Sequence, residues 1–254
     1  MRVLLSNDDG VHSAGLQALA DALSDVAEVF VVAPAREQSA ASHAISLHRP
    51  LRIVELGPRR WSVDGTPTDC VYVALHHLLK ANRPDVCISG INYGPNLGDD
   101  VTYSGTVAAA MEATLLGIPS IAVSLVGRER FDFGPAAAFA RGLALEVASR
   151  GLPKGTLLNV NVPPGTPGGF AVTRLGKRNY GSSVIENVDP RGRRYYWIGG
   201  AETKHEVISG SDCCAVFDAN LVSITPLQMD MTEYGMLEPL AGWSVDGFEK
   251  RQGP

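Results

Sequence analysis

Along its first 155 residues, the chain alternates between short apolar runs and longer segments in which apolar residues recur every three or four positions. The runs have the length and continuous hydrophobicity of strands that are buried on both faces of a sheet. They comprise residues 3–5, 28–33, 85–91 and 121–125. The segments with helical spacing begin near Ser13, Thr66, Ser104 and Pro135. Strands that alternate with helices in this way predict right-handed crossovers and a mostly parallel sheet.

The pattern changes after about residue 157. Further strands are predicted at residues 157–163, 170–175 and 221–225, and an exposed hairpin arm is predicted to pair residues 195–198 with residues 204–208. No Ser/Gly-rich linker separates the two parts. We therefore predict a single α/β domain over residues 1–254. It has a Rossmann-like, doubly wound core at residues 1–155 and a C-terminal elaboration of β-hairpin and helix at residues 156–254.

Composition narrows the function without identifying it. The formal charge is −5, and lysines and arginines form no stripe, which argues against a partner of duplex nucleic acid. No apolar run approaches the roughly 20 residues that cross a bilayer, and the N-terminus does not resemble a signal peptide. The four cysteines (Cys70, Cys87, Cys213 and Cys214) form no C-x-x-C pair. These features predict a cytoplasmic protein with reduced thiols.

Polar residues collect where the predicted strands end. Residues 7–10 (NDDG) follow the first strand, residues 36–39 (REQS) follow the second, and residues 92–100 (NYGPNLGDD) follow the strand at 85–91. Ligands of open parallel sheets bind beyond the carboxyl ends of the strands. We therefore expect these three loops to converge on one crevice.

Within this crevice, Asp8 and Asp9 are the candidate metal ligands. Two adjacent carboxylates repel each other, and a cation removes that repulsion. Oxygen ligands from Asp, Ser and Asn suit a hard ion such as Mg²⁺ or Mn²⁺. The alternative is a solvated turn, because Asp and Gly are common in turns.

Ser104, Gly105 and Thr106 open a predicted helix whose first N–H groups are free to bind an anion, and the alternative is a structural cap. His43 lies in a loop near the crevice, where it either contacts substrate or has no such role. Asp230, in the run at residues 230–233 (DMTE), either reaches the site or caps a helix. Neither G-x-x-x-x-G-K-[ST], G-x-G-x-x-G nor G-x-S-x-G occurs, so the usual nucleotide-binding and serine-hydrolase motifs are absent from the sequence.

At these same residues the sequence resembles the SurE family of survival-protein nucleotidases. The resemblance extends over most of the chain and follows one order of motifs. These are residues 3–10 (VLLSNDDG), 32–39 (VAPAREQS), 65–71 (GTPTDCV), 88–101 (ISGINYGPNLGDDV), 103–107 (YSGTV) and 222–227 (VSITPL). Several motifs of this length in one order are far more specific than any single glycine pattern.

The resemblance implies a Rossmann-type fold and phosphomonoesterase activity on nucleoside 5′- and 3′-monophosphates, with some action on short polyphosphate. It implies that Asp8, Asp9, Ser39 and Asn92 hold one divalent cation per subunit, with Asp8 and Asp9 also catalytic. It places the phosphate at Asn96, Ser104, Gly105 and Thr106. It also implies that the C-terminal arm takes part in forming a homodimer or homotetramer.

Three other functions remain open at this stage. A haloacid-dehalogenase-type phosphatase also has aspartates after its first strand, but its chemistry needs D-x-D, and here the two acids are adjacent. A regulatory module that binds nucleotide and metal without turnover would use the same loops. A purely structural oligomer leaves the three polar loops unexplained.

Overall fold

A computed structural model of the protein describes residues 1–127, 131–180, 184–198, 204–248 and 251. The strands, in chain order, are β1 (Arg2–Ser6), β2 (Glu28–Pro34), β3 (Ile53–Gly57), β4 (Arg60–Val63), β5 (Val86–Tyr93), β6 (Ser120–Leu125), β7 (Thr156–Val162), β8 (Phe170–Val172), β9 (Arg178–Asn179), β10 (Val184–Val188), β11 (Arg194–Ile198), β12 (Lys204–His205) and β13 (Val222–Gln228). The helices are α1 (Ala14–Leu23), α2 (Pro67–Val73), α3 (Gly105–Leu115), α4 (Gly134–Arg150) and α5 (Leu237–Ala241). Short 3₁₀ or π-helical turns lie at Ala74–Leu78, Gly98–Thr102, Cys214–Asp218 and Tyr234–Met236.

A nine-stranded sheet forms the centre of the molecule, in the order β3-β4-β2-β1-β5-β6-β7-β13-β8. The strands from β4 to β7 run parallel, whereas β3 and β13 run antiparallel to their neighbours β4 and β7. The predicted α/β fold with a mostly parallel sheet is therefore confirmed. The prediction missed β3 and β4, because that segment mixes polar and apolar residues without a long apolar run.

Helices cover both faces of the sheet, which explains why its strands are continuously apolar. On β1, Val3 and Leu5 pack with α1 and α4 in one cluster, while Leu4 between them packs with α2 and α3 in the other. Successive side chains of a strand point to opposite faces, so a strand covered on both faces needs apolar residues at every position. In the described residues, no helix is long and apolar enough to cross a membrane.

The helix starts follow the sequence closely. Ser13 caps α1 by accepting a hydrogen bond from the Leu16 N–H. Thr66 and Asp69 form a reciprocal capping box at the start of α2. Ser104 caps α3 by accepting a hydrogen bond from the Val107 N–H. These caps fix where each helix begins and therefore which residues lie at the edge of the sheet.

The predicted pairing of the hairpin arm is wrong. β11 pairs antiparallel with β10, and β12 pairs with β9 instead. The reason is the turn between β10 and β11, where Asp189 accepts hydrogen bonds from the N–H groups of Arg191 and Arg193 and Gly192 adopts a φ of +79°. This turn specifies a hairpin over 184–198. The predicted pairing of residues 195–198 with residues 204–208 requires a turn that includes the glycines at 199–200, and these lie outside the described residues.

Candidate active site

Asp8 lies in the loop after β1 and is held by the start of α3. One carboxylate oxygen accepts the Thr106 N–H at 3.0 Å, and the other accepts the Thr106 hydroxyl. Gly105 allows this approach, since a β-carbon at that position would lie 2.8 Å from the Asp8 Cβ. The side chain is buried. The loop after β1 and the start of α3 therefore form one unit, although 98 positions separate Asp8 from Thr106 in the sequence.

Asp9 is the less satisfied of the two carboxylates. It accepts the backbone N–H of Tyr93, yet its Oδ2 is buried without a hydrogen-bond partner among the described residues. Burial, followed by the charge of Asp8, raises the pKa of Asp9 to about 7. Burial also raises the pKa of Asp8, although the hydrogen bonds from Thr106 oppose that rise. A nearby cation would therefore stabilise the ionised form of both carboxylates.

The loop after β2 contributes Ser39 and an acid that the sequence analysis overlooked. The Gln38 N–H donates to the Asp8 carbonyl at 2.7 Å, which places this loop against Asp8 and Asp9. The Ser39 hydroxyl donates to the Glu37 carboxylate at 2.7 Å. The negative charge of Glu37 contributes to the raised pKa of both Asp8 and Asp9. Glu37 is therefore a third carboxylate at the site, and its place two residues before Ser39 was the available signal.

The residues present fit a hard divalent cation. Asn92 donates its side-chain N–H to the Gly94 carbonyl at 2.9 Å, so its amide oxygen faces away from that contact. The Ser39 hydroxyl donates its hydrogen bond to Glu37, so the lone pairs of its oxygen can bind a cation. Together with the unpartnered Oδ2 of Asp9, these groups supply oxygen acceptors in a region of strong negative charge. No sulfur or imidazole is part of this set, which favours Mg²⁺ or Mn²⁺ over softer ions.

Asn96 is fixed by a buried polar network that the sequence analysis did not anticipate. Its side-chain nitrogen donates to the Ser124 hydroxyl at 2.7 Å, and its N–H donates to Asn161 at 2.8 Å. Its carbonyl accepts hydrogen bonds from Asn159 and Asn161. The signal was the pair of asparagines inside the otherwise apolar run at 157–162. A polar residue in a buried strand needs a partner, and these two hold the loop that carries Asn96.

The start of α3 has more internal bonds than an open anion site would have. The Ser104 hydroxyl caps the Val107 N–H at 3.0 Å, and Thr106 donates through both its N–H and its hydroxyl to Asp8. The structural-cap alternative therefore describes the Ser104 hydroxyl in this structure. The assignment of Ser104, Gly105 and Thr106 to phosphate stays a prediction, and Thr106 has a second role in holding Asp8.

His43 lies beside the segment that precedes α3. Its Nε2 is 2.8 Å from the Glu112 carboxylate, and the neighbouring Ser42 N–H donates to the Tyr103 carbonyl. His43 lines a cavity of about 720 Å³ together with Met111 and Met229. Contact between His43 and substrate stays a prediction. Asp230 accepts hydrogen bonds from the Thr232 N–H and the Tyr234 hydroxyl, whereas the residue that caps the turn Tyr234–Met236 is Glu233.

The chain is similar to known proteins over nearly its whole length. The family model described as "Survival protein SurE" matches residues 3–182. A protein from Myxococcus xanthus named 5′-nucleotidase SurE is 60% identical over 99% of this chain and 96% of its own length. A protein of the same name from Anaeromyxobacter dehalogenans is 59% identical over the full length of both chains. The crystal structure of SurE protein from Aquifex aeolicus superposes with a TM-score of 0.84 at 40% identity, covering 94% of this chain and 98% of that one.

Proposed function

The chain belongs to the survival protein SurE family, and on that premise we propose that it hydrolyses nucleoside 5′-monophosphates at the site around Asp8 and Asp9. It is a 5′-nucleotidase, a phosphoric monoester hydrolase of a metal-dependent family. The observation that carries the assignment to this site is the buried, unpartnered Oδ2 of Asp9 beside the buried carboxylate of Asp8. A cation bound next to this pair would neutralise the repulsion between the two carboxylates, and it would also bind the phosphate of the substrate.

In this proposal, Asp8, Asp9, Ser39 and Asn92 hold one Mg²⁺ or Mn²⁺ per subunit. When bound, the cation neutralises phosphate charge and lowers the pKa of a water. Asp8 is oriented by Thr106, so its position is set before any ligand arrives. Asp9 is the better placed of the two to accept a proton or attack phosphorus, because each oxygen of Asp8 already accepts a hydrogen bond.

We assign the phosphate to the start of α3 and to Asn96. The helix dipole at the start of α3 favours negative charge. The network from Asn159, Asn161 and Ser124 holds Asn96 in one position, so its remaining side-chain donor can meet the developing charge on the phosphoryl group. His43 is proposed to contact substrate from the adjacent cavity.

The proposal also covers further substrates, the cellular compartment and the assembly of the protein. Nucleoside 3′-monophosphates and short polyphosphate are proposed as further substrates, because the same phosphate and metal groups serve each of them. The chain is proposed to act in the cytoplasm. It is proposed to act as a homodimer or homotetramer, with the C-terminal part (residues 156–254) contributing the oligomerisation arm to a single domain.

The test is release of inorganic phosphate from 5′-AMP, 3′-AMP and tripolyphosphate, with Mg²⁺, Mn²⁺ or excess EDTA. We expect EDTA to silence the enzyme and either cation to restore it. Asp9→Asn should lower turnover by roughly 100-fold or more, since it removes a direct ligand. The exposed Asp21→Asn is the matched control and should retain parent activity. Tight nucleotide binding without turnover by the parent enzyme would favour the regulatory module instead.

A further inference from the structure

A second cluster of metal-ligating side chains lies outside the active site. His205, Cys214 and Asp218 each offer one possible ligand atom, and the three atoms lie within 4.8 Å of one another. The His205 Nε2 is 3.1 Å from the nearer Asp218 oxygen. None of the three takes part in the nucleotidase site described above.

The local fold explains why these side chains meet. Cys214 and Asp218 stand four residues apart on the turn Cys214–Asp218, and side chains at that spacing share one face of a helical turn. His205 reaches them from β12, which is fixed by pairing with Arg178 in β9. The His205 ring stacks on Phe217 with 5.3 Å between ring centroids, and this contact sets the orientation of the imidazole.

We propose that His205, Cys214 and Asp218 bind a Zn²⁺ ion. Zinc takes mixed sulfur, nitrogen and oxygen ligands in tetrahedral geometry, with bonds of about 2.0–2.3 Å. Those bond lengths place tetrahedral ligands roughly 3.3–3.8 Å apart, so the cluster needs only a small contraction to surround the ion. A thiolate and a carboxylate neutralise the two charges of the cation. The fourth position is open to solvent, because Asp218 is about half exposed.

The thiol distinguishes this cluster from a surface ion pair. Hydrogen bonds from His205 and from Cys214 lower the pKa of the Asp218 carboxyl, so Asp218 interacts with both of the other groups. An ion pair between His205 and Asp218 requires no third partner. A sulfur donor beside an imidazole selects borderline metals such as Zn²⁺, whereas the oxygen ligands around Asp8 select hard ions. The two sites therefore differ in the metal that each prefers.

Zinc at this position would brace the base of the hairpin arm. β12 lies on the return path of the arm, and its partner β9 carries Arg178, which forms a nearly buried ion pair with Asp100. The backbone carbonyl of Asp100 in turn accepts the Ser104 N–H at the start of α3. A cation that joins β12 to the turn Cys214–Asp218 would thus fix one side of the arm to the body of the protein.

The proposal is tested with Co²⁺, which binds in place of zinc and absorbs strongly in the near ultraviolet when a thiolate is its ligand. Metal-free protein carrying Asp9→Asn is titrated with Co²⁺ under reducing conditions, so that the oxygen-ligand site is weakened. We expect a thiolate-to-cobalt band that saturates at one equivalent and disappears on addition of Zn²⁺. Absence of this band in the folded protein would overturn the proposal.

Variants then identify the ligands. Cys214→Ser should abolish the band, and His205→Ala and Asp218→Asn should each weaken Co²⁺ binding by at least 10-fold. Cys213→Ala is the matched control: its thiol is buried against Leu97, Val126 and Val216, and the band should survive its removal. Zn²⁺ should raise the melting temperature of the parent protein more than that of Cys214→Ser. Equal shifts in the two proteins, or a band that persists in Cys214→Ser, would reject the site.

Discussion

At the scale of single residues, the site is built around a carboxylate pair that the metal-free protein holds at an electrostatic cost. The adjacency of Asp8 and Asp9 after an apolar strand was sufficient to predict the pair from sequence. The partners of the pair were not predictable in the same way. Thr106 and the Tyr93 N–H reach the pair through the fold, and no local pattern predicts that they contact Asp8 and Asp9.

The first prediction at this scale concerns pH. The pKa of Asp9 is about 7 in the folded protein against an ordinary value of 3.8, so between pH 4 and 7 the folded state binds more protons than the unfolded state. This residue therefore lowers the free energy of unfolding of metal-free protein as the pH rises through that window. Asp9→Asn should remove this contribution, which urea unfolding in EDTA at several pH values will measure.

The parent protein and Asp9→Asn must be compared by difference, because carboxylates with lowered pKa values, such as Asp230, act in the opposite direction. The stability of the parent relative to the variant should fall from pH 4 to pH 7. Mg²⁺ affinity should rise over the same interval, since the cation must displace the protons. A relative stability that stays flat across the window would contradict the high pKa of Asp9.

The second residue-scale prediction concerns Thr106, a positioning residue. Thr106→Val keeps the shape of the side chain but removes the hydroxyl that donates to Asp8. We expect kcat to fall by roughly 10- to 100-fold and metal affinity to weaken, as is usual when a residue that orients a metal ligand is lost. Thr106→Ser retains the hydroxyl and should recover most of the activity. Similar kcat values for the valine and serine variants would show that the hydroxyl has no such role.

At the scale of elements, the sequence predicted which helices and strands exist better than how they connect. Ser13, Thr66 and Ser104 mark helix starts because capping is local chemistry. Hairpin pairing depended on which turn joins the strands, and the turn at Asp189 joins β10 to β11. Hydrogen bonds between residues far apart in the sequence could not be predicted from a local pattern. Asn96 and Asn161, for example, are 65 positions apart.

Asp212 makes the clearest of these long-range contacts, and it allows a prediction about the stability of the segments that it connects. Its fully buried carboxylate accepts the N–H groups of Gly98, Gly176 and Cys213 at 2.7–2.9 Å. Asp212→Ala would leave these donors without their acceptor, and the free energy of unfolding should fall by roughly 3 kcal/mol or more. Chemical denaturation measures the loss, and the exposed Asp21→Ala is the control.

The outcome of the Asp212→Ala experiment also reports on the loop after β5, which carries Asn96. Gly98 has a φ of +55°, and a β-carbon there would lie 2.7 Å from the Gly176 carbonyl, so the loop after β5 is packed directly on the chain that leads to β9. Loss of Asp212 should therefore reduce activity as well as stability. A variant as stable as the parent would mean that solvent replaces the carboxylate without cost.

At the scale of the whole molecule, the hairpin of β10 and β11 needs a surface to cover it. Tyr196, Trp197 and Ile198 are 57%, 64% and 94% exposed in the single chain. An isolated two-stranded hairpin is marginal in water, and exposed apolar patches of this kind mark protein contacts. The aromatic residues were evident from the sequence, whereas the extent of their exposure became clear only in the fold.

We predict that replacing residues 184–198 with a short Gly/Ser loop yields a monomer in light scattering. The deletion lies beyond β9 and before β12, so the pairing of those strands should survive. A point variant, Trp197→Ser, tests the same surface with the hairpin intact and should weaken association. If the deletion variant keeps the parent's mass per particle, the exposed Trp243 and Phe248 near the C-terminus form the better candidate interface.

The place of β1 inside the sheet has a consequence for the synthesis of the protein. β1 is synthesised before β2 and β5, the two strands between which it lies, and before Thr106, which holds Asp8. At roughly 5–20 residues per second, about 100 further residues take on the order of 5–20 s to emerge. During that interval the apolar segment at Arg2–Ser6 has no complete set of neighbours. The nascent chain is therefore exposed to chaperones and to misassociation at the segment that leads directly into Asp8 and Asp9.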